Sequence, residues 1–363
     1  MNDARVQIDP DITRAETLPA SFYADPDWFA RTRDRVFARS WQLVGDTDQL
    51  RAPGQVVPVT LLEGCLDEPL VVTRDASDAL HCLSNVCTHR GMLVCEAPGV
   101  EGALRCRYHG RRFALDGRFL SMPEFDGVCD FPRPSDDLPR VALGCWGKLL
   151  FASLDPEVSF DEFVGDLRAR TAGLPLERAV ADASRSRDYL VRANWALYCD
   201  NYLEGFHIPY VHAGLATVLD YGAYRTELFA WSNLQLGVAT SGEDAIDLPP
   251  TSPDRGTRVA AYYFWLFPNT MVNVYPWGLS VNVVRPLGPN RTRVSFLSYV
   301  WDPTRLDAGA GSGLDRVERE DEVVVEGVQR GLRSRLYARG RYSPAREAGV
   351  HHFHRLLAGR LGA

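Results

Sequence analysis

Two short segments place cysteine and histidine close enough to share a metal. They are Cys87-Thr88-His89 and, sixteen residues further on, Cys106-Arg107-Tyr108-His109. The chain has eight histidines in 363 residues, so two such pairs in one stretch carry information. Two loops that each give one thiolate and one imidazole supply the donors of a Rieske [2Fe–2S] centre. There two thiolates hold one iron and two imidazoles hold the other. Zinc is the rival, but zinc modules more often pair Cys with Cys and His with His. The other cysteines, Cys65, Cys82, Cys95, Cys129, Cys145 and Cys199, read as buried small apolar residues.

A second group lies in Asp200–His212, where His207 and His212 stand among acids. On a straight helix residues five apart point about 140° away from each other. Pro209 lies between them, and a proline that kinks or ends the helix could turn both rings toward one point. Two His and one carboxylate with open positions form the facial triad of oxygen-activating ferrous enzymes. The carboxylate has to come from elsewhere. In an expected helix over 317–337, Val317, Val324, Val325, Val328 and Leu332 form one face, and Asp321 falls at its middle. Glu320, Glu322 and Glu326 should point to solvent, with Glu318 at the margin. A carboxylate on a buried face needs a partner. From the residues alone, an Asp321–Arg pair and two separate core histidines are the competing readings.

Several elements must position these groups. Asp25-Pro26 reads as a helix start. Short β-type runs follow (Val56–Leu61, Leu70–Thr73, Leu80–Leu83, Leu149–Phe151), so residues 42–155 read as an all-β domain after an N-terminal helical segment, 1–41. Ser159-Phe-Asp-Glu162 is a capping-box pattern before a helix. Residues 156–363 then combine longer strands (Arg258–Phe267, Met271–Tyr275, Ser280–Val284, Arg293–Val300) with helices around Trp195–Phe206 and 317–337. The class is α+β. His351, His352 and His354 flank a stripe of Val350, Phe353, Leu357 and Leu361 and read as an ordinary surface helix.

Composition narrows the function. Hydrophobic residues make up 45% and charged residues 24%, the balance of a folded globular chain. A net charge of −7 without a basic run argues against a nucleic-acid partner. The longest apolar run, around Val259–Phe267, is too short to span a bilayer. Asp3, Arg5, Asp9, Asp11, Arg14 and Glu16 interrupt any signal-peptide core, so a cytoplasmic protein is expected. No dinucleotide fingerprint is visible, so a reductant must come from outside.

Cys87-Thr-His-Arg-Gly91 and Cys106-Arg-Tyr-His-Gly110 resemble the Rieske box of the Rieske non-haem iron oxygenases, the aromatic-ring-hydroxylating dioxygenase superfamily. Met92 and Tyr108 stand where respiratory Rieske proteins carry extra cysteines, and Arg111 stands where many oxygenases have Trp. Asn201-x-x-Glu204-x-x-His207-x4-His212 resembles the family's mononuclear-iron motif, and Glu320-Asp321 followed by Val328-Gln-Arg-Gly-Leu332 resembles its C-terminal stretch.

The resemblance implies Cys87, His89, Cys106 and His109 as cluster ligands and His207, His212 and Asp321 as ligands of a mononuclear Fe(2+). Glu204 and Asn201 are the candidate catalytic residues. The implied role of Glu204 is to bridge toward the cluster of a neighbouring subunit, at His89 or His109. The resemblance further implies a Rieske β domain, a helix-grip catalytic domain, a homotrimer, and electrons from NAD(P)H through a separate reductase or ferredoxin. Arg90, Arg105, Arg107, Arg111 and Arg112 would form either a docking face for an acidic donor or a plain solvated face.

Phe267-Pro-Asn-Thr, the Val328 stretch and Gly340-Arg-Tyr-Ser-Pro look most like the choline, betaine and carnitine monooxygenase branch. Tyr262, Tyr263, Phe264, Trp265, Phe267, Tyr275 and Trp277 could then supply a cage for a quaternary ammonium, or simply a β core. The alternatives are an aromatic-ring hydroxylating dioxygenase or O-demethylase and, in another class, a Rieske electron carrier without oxygenase activity.

Overall fold

The computed structural model describes residues 6–306 and 308–362. The chain divides into two compact units, one formed by residues 38–160 and the other by residues 1–37 with 161–363. The first runs past the expected boundary at 155. Phe160 packs on Trp41 and Phe151 with ring centroids 5.1 and 5.5 Å apart, so the chain up to 160 completes that core.

The 38–160 unit is antiparallel β. Its strands are β1 (Gln42–Asp46), β2 (Gln55–Leu61), β3 (Glu68–Arg74), β4 (Leu80–Ser84), β5 (Gly99–Val100), β6 (Leu104–Arg105), β7 (Arg112–Phe113), β8 (Phe119–Ser121), β9 (Arg140–Trp146) and β10 (Leu149–Ser153). Seven pair in the order β1-β10-β9-β4-β3-β2-β5, and β6-β7-β8 form a small separate sheet. Inward residues of both sheets, among them Val56, Val71, Leu83, Leu104 and Phe113, make one core that also includes Cys87 and Cys106.

In the other unit, α1 (Pro26–Arg35) starts as expected: Asp25 caps it by accepting the Asp27 amide at 2.9 Å. Helix α2 (Phe160–Arg170) leads to β11 (Val180–Ala181), β12 (Arg187–Val191), α3 (Trp195–Tyr202), α4 (Ile208–Val211) and α5 (Leu215–Val218). Then come β13 (Arg225–Leu228), β14 (Ser232–Val238), β15 (Val259–Leu266), β16 (Thr270–Tyr275), β17 (Gly278–Gly288) and β18 (Arg291–Val300), and finally α6 (Leu314–Gly331) and α7 (Ala348–Leu361). The eight strands form one antiparallel sheet ordered β11-β18-β17-β16-β15-β14-β13, with β12 also on β18. Buried aromatics clamp helices to it: Phe353 of α7 lies 5.6 Å from Trp195 and 5.2 Å from Trp265. Among the described residues, no helix is long and apolar enough to cross a membrane.

Three helical expectations need correction. Helix α3 stops at Tyr202, not Phe206. Helix α6 stops at Gly331, not Tyr337, since glycine favours helix ends and the apolar stripe ends at Leu332. It is also rolled: Glu318, Val325 and Gln329 are buried while Val328 is exposed. Polar partners set that roll. Gln329 Oε1 accepts the Asn194 amide at 2.7 Å, and Glu326 Oε1 accepts the Arg192 amide at 3.0 Å. Helix α7 is not a surface helix either. His351 and His354 are buried, the first donating from Nε2 to Asp9 O (2.8 Å), the second held by Asp200 (2.8 Å) and the Tyr342 hydroxyl (2.6 Å). Cys129 and Cys145 are exposed, unlike the other cysteines.

Candidate functional site

The two Cys-His loops have the same backbone construction. In the first, Gly91 N donates to Cys87 O (3.0 Å) and Cys87 N to Met92 O (2.8 Å). In the second, Gly110 N donates to Cys106 O (3.0 Å) and Cys106 N to Arg111 O (2.9 Å). Each loop closes at a glycine with positive φ, +73° at Gly91 and +78° at Gly110, a conformation that costs a side chain about 1–2 kcal/mol. Behind the first loop, Asn85 makes two bonds to the backbone of Cys95, at 2.7 and 2.8 Å.

The donors converge as a two-thiol, two-imidazole set requires. Cys87 and Cys106 are buried, and the His89 and His109 rings sit 4.8 Å apart. Burial raises the Cys87 thiol, with Cys106 beside it adding to the shift. Burial lowers the His89 imidazole, with His109 adding to it. Two adjoining cysteines and two adjoining imidazoles fit a Rieske cluster.

Arg111 is no part of a docking face. It is 2% exposed, donates to Asp136 Oδ1 (2.8 Å) and O (2.9 Å), and lies over the rings of Phe113, Phe119 and Phe131. Asp136 O also accepts the Thr88 hydroxyl at 2.8 Å, so one residue fastens both loops from behind. Arg90, Arg105, Arg107 and Arg112 remain at the surface.

The second group is built at a break between helices. The chain leaves α3 at Leu203 and turns through Gly205, where a Cβ would lie 2.5 Å from the Tyr224 ring. It then forms the four-residue α4, with His207 at its N-cap and His212 at its C-cap. The proline does not kink a helix between the two histidines. Pro209 sits in the first turn of α4, where its missing N–H is no loss. The rings meet because each flanks a very short helix. His207 and His212 rings lie 5.0 Å apart, and the Nε2 atoms face Asp321 Oδ1 at 3.5 and 3.0 Å. One donor atom from each of His207, His212 and Asp321 lies within 4.8 Å of the others.

Each imidazole is held at its other nitrogen by a carboxylate. Glu204 Oε1 lies 2.6 Å from His207 Nδ1, and Glu320 Oε2 lies 2.8 Å from His212 Nδ1. Such contacts fix tautomer and ring direction so that Nε2 faces a metal. Glu204 Oε2 also accepts the Phe206 and His207 amides. Asn201 Nδ2 donates to Asp321 Oδ1 at 2.7 Å. Burial opposes a charge on His212, but Asp321 and Glu320 outweigh it and raise its pKa.

Glu320 therefore does not face solvent; its length lets a helix-flank carboxylate reach inward. Glu318 is not marginal: it is 2% exposed and accepts the Tyr198 hydroxyl. Sequence reasoning missed both. The spacing of Glu320 to Asp321 held no sign of which histidine each would meet.

A cavity of about 100 Å³ opens beside this group. Of the seven aromatics expected as a cage, Tyr263 and Tyr275 line it. Tyr262, Phe264, Trp265 and Phe267 are core, and Trp277 stacks on Tyr275 at 5.3 Å away from it. Tyr198, Tyr202, Tyr224 and Phe296 complete the wall. They come from α3, the loop before β13 and strand β18, so no local cluster announced them.

The family model described as the Rieske [2Fe-2S] domain matches residues 40–132, and that described as the ring hydroxylating alpha subunit (catalytic domain) matches residues 176–363. Chloroplastic choline monooxygenase of Arabidopsis thaliana is 34% identical over 97% of this chain and 85% of its own length. The carnitine monooxygenase oxygenase subunit of Escherichia coli (strain K12) is 29% identical over 95% of this chain and 93% of its own. The crystal structure of the quaternary ammonium Rieske monooxygenase CntA with an inhibitor shares the fold, with a TM-score of 0.79, 24% identity, and coverage of 98% of this chain and 99% of that one. Two loops shaped for a Rieske cluster precede a His-His-Asp group on a helix-and-sheet unit, and both domain models match in that order. The chain belongs to the Rieske non-haem iron oxygenases, as an alpha subunit with a Rieske [2Fe–2S] domain and a mononuclear-iron catalytic domain.

Proposed function

We propose that this oxygenase hydroxylates or demethylates a small quaternary amine with O2. One observation carries the reading: the His207–His212–Asp321 group borders a cavity walled by tyrosine rings, the surface that attracts a cation stripped of water. The named relatives, a choline and a carnitine monooxygenase, support it.

Cys87, His89, Cys106 and His109 would hold the [2Fe–2S] cluster, and His207, His212 and Asp321 the Fe(2+). These groups supply single electrons and O2 activation when bound. The chain's own residues orient the ligands. Glu204 and Glu320 fix the two imidazoles, and Asn201 fixes Asp321. The proposal includes a homotrimer in the cytoplasm and electrons from NAD(P)H through a separate reductase or ferredoxin, docked near Arg90, Arg105, Arg107 and Arg112. An electron carrier would need no catalytic domain.

The test is O2 consumption with a surrogate reductase across quaternary amines and aromatic acids. Stimulation by a trimethylammonium compound is expected. Stimulation by aromatic acids alone would give the site to aromatic hydroxylation or O-demethylation.

A further inference from the structure

Three acids face the cavity, and they differ in what they touch. Glu204 is engaged by the His207 ring and two backbone amides. Asp321 is engaged by Asn201 and both imidazoles. Glu318 is 2% exposed, and its Oε2 accepts the Tyr198 hydroxyl. Its Oε1 is buried with no hydrogen-bond partner among the described residues. Among the described residues, no lysine or arginine lines the cavity. Burial, with Asp321, Glu322 and Asp315, raises the Glu318 carboxyl well above the usual range against the Tyr198 hydrogen bond, so its charged form needs a cation beside it.

A buried carboxylate without a cation is costly, and a half-satisfied one is a place where a ligand group belongs. Tyr224, Tyr263 and Tyr275 on the sheet side add ring faces suited to an onium group. We infer that Glu318 is the counter-charge for the substrate's quaternary nitrogen, and that the site selects a compact monocation such as choline over zwitterions that carry a carboxylate. The inference rests on the quaternary-amine reading above and sharpens it. A zwitterion would bring its own carboxylate into a cavity with no side-chain cation to meet it. Glu318 and Asp321 are three apart on α6 and share a face, with Cβ atoms about 5–6 Å apart. A nitrogen held by Glu318 therefore leaves its neighbouring carbons one helical turn from the His-His-Asp group.

The experiment measures anaerobic equilibrium binding to the holoenzyme by calorimetry. The probes are choline, glycine betaine, L-carnitine and 3,3-dimethylbutan-1-ol, the uncharged isostere of choline. The wild type should bind choline about tenfold or more tighter than each of the others. Glu318→Gln should keep its cluster absorption and iron, bind choline about tenfold more weakly, and bind the neutral alcohol as before. Unchanged choline binding in Glu318→Gln, or equal wild-type affinity for betaine or carnitine, overturns the inference and leaves the quaternary-amine reading intact. Should the variant not fold, choline bound no tighter than the alcohol by the wild type overturns it as well. If no quaternary amine binds and aromatic acids do, the wider reading falls with it.

Discussion

Asp321 Oδ1 is the atom on which the mononuclear site converges, met by Asn201 and both imidazoles. Asp321→Ala should lose the mononuclear iron and turnover while the cluster's visible absorption persists; metal analysis with absorption spectra checks this, and full activity would sink the assignment. Glu320→Gln tests the unforeseen contact. An amide can still meet His212 Nδ1, but it cannot hold the ring as a charged acceptor does. Iron affinity should fall about 10- to 100-fold, the usual scale for a group behind a metal-bound histidine. Affinity equal to wild type would make Glu320 a surface residue after all. The contrast shows what was legible at this scale. Cys-x-His and Cys-x-x-His, or two histidines around a proline, are spacings the chain fixes covalently. Which acid on α6 meets which ring depends on helix roll and side-chain reach, and neither is written in a spacing.

Elements hold these residues in place, and their errors share one cause. The apolar stripe of α6 pointed to Val328 as buried, yet Glu318 and Gln329 take inner positions because Tyr198 and the Asn194 amide meet them there. Polar pairing outweighed periodicity. On the β side, near-continuous apolar runs marked the strands because both faces of the long sheet are buried. The loop glycines yield a prediction. Gly91→Ala and Gly110→Ala should each cost about 1–2 kcal/mol, read as a lower Tm and reduced cluster content. Gly165→Ala inside α2, where a Cβ meets nothing within 4 Å, should be neutral or slightly stabilising. Equal effects at all three would remove the strain argument. Helix α7 yields another. Burial pushes the His352 imidazole down to about 4, and its Nε2 is buried without a partner among the described residues. The unfolded chain takes up this proton near pH 6.5, so the contribution is full above that pH and is lost as pH falls toward 4. The loss is at most about 3 kcal/mol. Urea midpoints at several pH values should fall more steeply for the wild type than for His352→Gln, and parallel curves would refute this.

At the scale of the whole molecule, the proposed trimer makes the electron path a question of which cluster serves which iron. Glu204 holds His207 through one oxygen and two backbone amides through the other, and a carboxylate oxygen can accept two hydrogen bonds. It therefore has capacity left for an imidazole N–H of a cluster histidine of a neighbouring subunit, the bridging role that the family resemblance implies for it. Glu204→Gln should keep the cluster and the trimer and weaken iron on the scale set for Glu320→Gln; saturated with iron, it should still lose most turnover, since the amide has one acceptor atom where the carboxylate has two. Sizing, metal analysis and single-turnover oxidation of the reduced cluster test this, with near-normal electron transfer as the contrary outcome. Mixed subunits give a sharper test. Cys87→Ser subunits keep the iron and lack the cluster; Asp321→Ala subunits keep the cluster and lack the iron. Each variant alone should be inactive. If electrons cross between subunits, refolding or coexpressing the two together restores activity, because the cluster of one faces the iron of the other. In a closed ring with random assortment, about a quarter of the interfaces pair an intact cluster with an intact iron, so about a quarter of wild-type activity should return. If each cluster served the iron of its own chain, every subunit in the mixture would lack one half of the path and no activity would return.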